Sequence, residues 1–277
     1  MEHRPVYKDT AHERQFEKSY LDIEAAHQKA RESLAASEID PSIFTKYDPA
    51  MIERDQREVT RLEGLFEQTP SKIYGDILEA IICEHGELSD WFGPEAQVIK
   101  TARFDDYINK IDMVVEFEDE TQRFSHLALG VDVTFGSHDL QKKFDAIRAK
   151  IDSGTLGDIK YFHSDRQHFT GEKRRVPQVV IGAEIERVKE LGLLWMNRRN
   201  GELGRHPIQD LILNEIALQL ETFAAYATAL DIKKIYEQEL ERVRAIMQSK
   251  STDAAALKDD RVFAEIRRQL ESFGESR

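Results

Sequence analysis

The chain has 277 residues, of which 40% are hydrophobic and 33% charged, with a formal net charge of −13. That is enough apolar material for a sizeable core, and too acidic a balance for a protein that coats nucleic acid broadly. The one cysteine, Cys83, excludes an intramolecular disulfide and fits a reducing, cytoplasmic compartment.

The start, MEHRPVYKDT, has no apolar stretch, so no secretory leader is expected. No run of about 18 apolar residues occurs, so no membrane span is expected. Residues 1 to 35 read as a polar helix with thinly spaced apolar positions at Phe16, Tyr20, Ile23 and Ala26. Asp40-Pro41 and Asp48-Pro49 break it, because the residue before proline leaves the helical region. Ala50 to Gln68 is helical again, and Thr69-Pro70-Ser71 ends that segment.

Within Lys72 to His85, Ile77 to Cys83 is apolar nearly all round, as in a buried helix, with Glu79 as the exception. A carboxylate in such a place must be paired, protonated or bound to a cation. Gly86 to Pro94 reads as a loop, Gln97 to Ala102 as a strand, and Asp105 to Asn109 as a turn. Asp106 in that turn is a weaker candidate for touching a metal. Two strand-like runs follow, Met113–Phe117 and Leu127–Phe135, joined by a hairpin loop at Glu118 to Thr121. Side chains alternate along a strand. Met113, Val115 and Phe117, and Leu127, Leu129, Val131, Val133 and Phe135, therefore form bulky faces suited to a helix layer. The opposite face, with Ala128, Gly130, Asp132 and Thr134, is small and leaves room for a ligand.

Asp139 to Ser153 has helical spacing at Leu140, Phe144, Ile147 and Ile151, and Gly154 closes it. Ile159–Phe162 and Gln178–Ile181 read as short strands. From Gly182 onward the pattern is helical, over Glu184–Leu194, Ile208–Leu230, Asp231–Lys250 and Ala254–Phe273. The expected fold class is α/β with a mixed sheet, antiparallel first and then joined by a crossover helix. The expected organisation is a helical extension over 1–70, an α/β core over 71–182 and a helical region over 183–277.

Asp112 at the head of one strand and Asp132 near the end of the next, with Glu79 on the preceding helix, could gather around one hard cation with oxygen ligands. Asp112, then Asp132-Val133-Thr134, then the glutamate helix Gly75-Asp76-Ile77-Leu78-Glu79, resemble the PD-(D/E)XK nuclease superfamily over Ser71 to Ile181. The resemblance implies a restriction-endonuclease-like core and a nuclease that hydrolyses phosphodiester bonds in DNA with Mg²⁺ or Mn²⁺. It casts Asp112, Asp132 and Glu79 as metal ligands, with Val133 offering a carbonyl.

Thr134 stands where the superfamily has its lysine, and a hydroxyl cannot supply an ammonium's charge. Two readings follow. Lys143, on the flank of the next helix, reaches the strand ends in the lysine's place, as in some superfamily members, while Lys142 faces solvent. Otherwise the core has lost catalysis and serves as a binding or assembly module through its helical extensions, which offer surface for a homo-oligomer. Lys173, Arg174 and Arg175 form the densest basic run and are candidates for phosphate-backbone contacts. His163, Asp165 and His168 read as a polar loop rather than a zinc site, with no cysteine near. Gln219 with Phe223 loosely resembles a late-helix element of RecB-like relatives, but backbone satisfaction in the core is its expected role.

Overall fold

Thr69 accepts a hydrogen bond from the Lys72 amide, and Pro70 follows at the first helical position, where its missing N–H costs nothing. These two residues start the longest helix of the amino-terminal half, α3 (Pro70–Leu88), after α1 (Ile23–Ser37) and α2 (Pro49–Glu63). The computed structural model describes residues 21–65, 69–119, 121–132, 137–250 and 260–275. Ile77, Leu78, Ala80, Ile81 and Ile82 of α3 are fully buried, as its nearly all-round apolar pattern predicts. The helix lies between α1 and the sheet; the small buried residues Ala26 and Ala30 line the facing stripe of α1.

The sheet has the order β1 (Ala96–Lys100), β2 (Met113–Glu118), β3 (Phe124–Asp132), β6 (Gln178–Gly182). β1, β2 and β3 are antiparallel neighbours, and β6 runs parallel to β3 after a crossover through α4 (Ser137–Asp152). Met113, Val115, Phe117, Leu127, Leu129 and Val131 join the helix-side core, as the alternation predicts.

The opposite face departs from expectation. β4 (Gly157–Ser164) and β5 (Phe169–Val176) form a separate antiparallel pair, and Ile159, Phe162 and Val176 pack on Ile111, Val114 and Ala128. Around Val114 and Ala128 the small face is thus covered rather than open to a ligand. Glu116, on the same face, is buried and accepts bonds from Ser164 Oγ and from Gln167, with His126 in hydrogen-bond contact. The strand at Phe169–Val176 was not read from the sequence, where only His163 to His168 was expected as a polar loop. Its charged residues, exposed at Glu172, Arg174 and Arg175, hide the pattern, while its backbone is satisfied by β4.

The carboxy-terminal helices are α5 (Ile185–Met196), the short α6 (Asn200–Leu203), α7 (Ile208–Tyr226), α8 (Leu230–Ser249) and α9 (Arg261–Glu275). One apolar cluster runs from Leu21 to Phe273 and takes in residues of both helical regions and of the sheet. Phe273 of α9 stacks against Phe144, Phe223 and Tyr226. No described helix is long and apolar enough to cross a membrane.

Two glycines of α3 lead to opposite expectations. A Cβ on Gly86 would lie 2.5 Å from Val98 Cγ2 and 3.2 Å from the Phe92 ring. A Cβ on Gly75 would meet nothing within 4 Å. Gly86, expected to open a loop, instead continues the helix because its missing side chain lets α3 approach β1. Gly75→Ala should stabilise by up to about 1 kcal/mol through helix propensity. Gly86→Ala should destabilise by about 1–2 kcal/mol, since overpacking exceeds that gain. Urea unfolding of both variants checks this; equal signs would refute it.

Candidate metal and acid site

The site is built where β1 ends and β2 begins. The connection contains a π-helical turn, Asp105–Asn109, closed by Lys110 in the left-handed region at φ 58°. The two neighbouring aspartates of the turn do different work. Asp105 is fully buried and accepts from the amides of Lys160 (2.8 Å) and Tyr161 (2.9 Å) and from Asn109 Nδ2 (2.6 Å), which anchors the turn to β4. Asp106 points the other way, into a cleft of about 200 Å³ lined by Lys72, Glu79, Asp106, Tyr107, Lys110, Asp112, Val131 and Lys143.

Glu79 reaches the cleft from α3 and Asp112 from the residue before β2. The Asp112 carboxylate accepts from the Val131 amide at 2.6 Å, and its amide donates to Leu129 O at 2.9 Å, so it is held across β3. Lys143 of α4 donates from Nζ to Val131 O at 2.7 Å, while Lys142 is exposed. The helical geometry that set Lys143 apart from Lys142 is therefore realised. The backbone of Asp132 ends β3 next to Val131 and pairs with Gly182. The Asp132 side chain, Val133 and Thr134 lie outside the described residues.

Lys100 was not anticipated from the sequence. It ends β1 on the face shared by Ala96 and Val98, which packs on the helix layer. Its side chain is 8% exposed, and its Nζ donates to Glu79 Oε2 (3.2 Å), Asp106 Oδ2 (2.9 Å) and Asp112 O (3.0 Å). The readable signal was a lysine on the same face as Ala96 and Val98, since long cations are rarely buried unpaired.

The electrostatics follow from burial and from these neighbours. Burial, and then the negative charges of Glu79 and Asp106, push the Asp112 carboxyl well above the ordinary aspartate range, against the pull of Lys143 and Lys100. Burial also raises Glu79, opposed by Lys100. Burial raises Asp106 too, but the Lys100 ammonium and the side-chain bond from Asp112 outweigh it, so its carboxyl sits below the usual value. Burial lowers Lys100, but Asp106, Glu79 and Asp112 together hold it well above the ordinary lysine value. Burial pushes the nearby Cys83 thiol up to about 12, which keeps it protonated and leaves the site's donors as oxygens.

That donor set suits a hard ion such as Mg²⁺. Among the described residues, no group of three carboxylates, imidazoles or thiols closes on one point as a metal cage. The Lys100 ammonium joins Glu79 and Asp106 instead.

The other candidates lie elsewhere. None of Lys173, Arg174 and Arg175 lines this cleft: Lys173 sits over the Phe162 and Phe169 rings, Arg174 pairs with Glu172 and Arg175 with Asp231. His163 hydrogen-bonds Thr170 and Asp165 within its own hairpin. Gln219 has the backbone role expected of it, bonding both Val180 N and Val180 O. Comparison of the chain with protein-family models, with curated proteins and with solved structures gave no match.

Proposed function

We propose that the chain is a metal-dependent nuclease of the PD-(D/E)XK kind that hydrolyses phosphodiester bonds in DNA. One observation carries this reading: Glu79, Asp112 and Lys143, distant in sequence, meet in a single cleft at the end of β3, where the Asp132 backbone lies. Asp112 and Asp132 would hold Mg²⁺ or Mn²⁺, with Glu79 as an accessory ligand. Such an ion polarises a phosphate oxygen and lowers the pKa of its bound water.

The chain's own residues do the rest. Asp112 is fixed by the Val131 amide, so a ligand oxygen is presented without rearrangement. Lys143, fixed by Val131 O, brings to the strand ends the positive charge that Thr134 lacks. There it stabilises charge on a phosphate and orients the attacking water. Asp105 supports the acids from behind by tying their turn to β4.

Purified protein with Mn²⁺ or Mg²⁺ should nick or degrade DNA across a panel of supercoiled, linear and single-stranded forms. Asp132→Ala should remove this, with a loss of roughly 10³-fold, about 4 kcal/mol of barrier. Equal inertness of the wild type and the variant on every form would refute the reading.

A second reading has its own support, namely that Lys100 already balances Glu79 and Asp106. In it the core is a nuclease-like module without catalysis that binds or assembles through its helical regions. It predicts no cleavage of any DNA form and no divalent-ion binding that depends on Asp112.

A further inference from the structure

We infer that Lys100 is a resident cation of the cleft: its ammonium occupies the oxygen set that a second divalent ion would take, and so limits the site to one such ion. This rests on the metal-dependent reading above.

Three observations lead there. The first is position. Lys100 faces the helix layer from the end of β1, and its side chain is 8% exposed, where burying a charge is costly without compensation. The second is the donor set. Its acceptors are a carboxylate of α3, a carboxylate of the π-helical turn and the main-chain carbonyl before β2, at 2.9–3.2 Å. Carboxylates and carbonyls are the donors a hard cation selects. The oxygens already hold a cation, and that cation is covalently part of the chain.

The third is stoichiometry. An ammonium has three protons and no acceptor. Those protons match Glu79, Asp106 and the Asp112 carbonyl, so Lys100 has none left to orient a water or take a phosphate. Its contribution is charge at a fixed place. Lys143 differs: it sits at Val131 O, on the β3 side of Asp112.

Two-metal hydrolytic sites place ions roughly 3.5–4 Å apart, with carboxylates shared between them. Here one of the two positive charges is supplied by the fold. A divalent ion sharing Glu79 and Asp106 with the ammonium would meet its full charge at short range in a poorly screened setting. The Asp112 carboxylate remains for a single ion at the end of β3.

The test counts bound Mn²⁺ by electron paramagnetic resonance and calorimetry in wild type, Lys100→Met, Lys100→Gln and Lys100→Arg, with circular dichroism to confirm folding. The expected result is one ion per chain in wild type and Lys100→Arg, and two in the neutral variants. Unchanged counts in folded Lys100→Met and Lys100→Gln would overturn the inference, as would two ions in wild type.

A ¹⁵N-lysine spectrum of the wild type reads the same point without a neutral variant. The slowly exchanging Lys100 Nζ–H signal, assigned by its loss in Lys100→Arg, should persist at saturating Mg²⁺. Its disappearance on adding Mg²⁺ would mean displacement and refute a resident role. If wild type binds one ion and the neutral variants two, but no form cleaves DNA, the inference stands and the nuclease reading fails. If wild type cleaves DNA with one ion and the neutral variants also bind one, the nuclease reading stands and the inference fails. If no form binds an ion, both fail.

Discussion

Asp112→Asn should melt a few degrees higher than wild type in the absence of divalent ions and lose DNA cleavage altogether. The asparagine keeps an oxygen for the Val131 amide, so the packing across β3 survives. What disappears is a carboxyl whose ionisation is opposed by burial and by the charges of Glu79 and Asp106.

The sign runs this way. The folded pKa of Asp112 lies well above its unfolded value of about 3.9. Between those two values the folded chain binds more protons than the unfolded one, so stability falls as pH rises through the window. The favourable contribution of Asp112 is complete below about pH 3.9 and is gone above the folded pKa. Glu79 shifts in the same direction, and Asp106 in the opposite one.

The advantage of Asp112→Asn should therefore be small near pH 4 and widen toward pH 8. Relief of such a site commonly yields about 0.5–2 kcal/mol, or about 2–6 °C at this size. Thermal unfolding in a chelator across that range measures it. A gap that stays constant with pH, or a lower melting temperature for the variant at pH 8, would contradict the electrostatic account.

The second large effect lies at the free edge of the sheet. β6 ends the strand order, and its outer side meets α7 rather than another strand. Gln219 replaces the missing neighbour: Val180 N donates to its Oε1 at 2.8 Å and its Nε2 donates to Val180 O at 2.6 Å. Glu215 accepts from the Gly182 amide at 2.9 Å one turn away.

Gln219→Leu fills the space but strands both polar groups of Val180 away from water. Each costs about 1–3 kcal/mol when left unpaired, so a loss of about 2–5 kcal/mol is expected, on the order of 10 °C. Gln219→Glu retains an acceptor for the amide but sets a carboxylate oxygen against the carbonyl, and should also destabilise. Hydrogen exchange at the Val180 amide gives a local readout beside the melting curve. A Gln219→Leu protein within 1 kcal/mol of wild type would show that the amide clasp contributes little.

What the chain's letters made legible was periodic. The alternation in Met113–Phe117 and Leu127–Val131 reveals which side chains meet the helices, because one face of those strands is uniformly bulky. The spacing of Leu140, Phe144, Ile147 and Ile151 orients α4 well enough to separate Lys143 from Lys142. Glu79 stood out because an acid on an otherwise apolar helix must have a partner.

What stayed hidden depends on contacts between distant segments. Phe169–Val176 carries too many charges to read as a strand, and becomes one by pairing with β4. The small face of β2 and β3 looked vacant because nothing local announces that a hairpin will cover it. Lys100 and Asp106 find each other only after β1 and the π-helical turn have been laid beside α3. Gly86 reads as a helix terminator by type, whereas its true constraint is the nearness of Val98.

The anchoring of Asp105 has a mechanical consequence. Its carboxylate grips two consecutive main-chain amides of β4, while its neighbour Asp106 faces the cleft. The turn is thereby a lever with one arm on the hairpin and the other at the acids. A ligand or protein that drew the β4–β5 ribbon toward or away from the sheet would shift Asp106 relative to Glu79 and to Asp112, which β3 holds, giving the outer ribbon a handle on the geometry of the inner site.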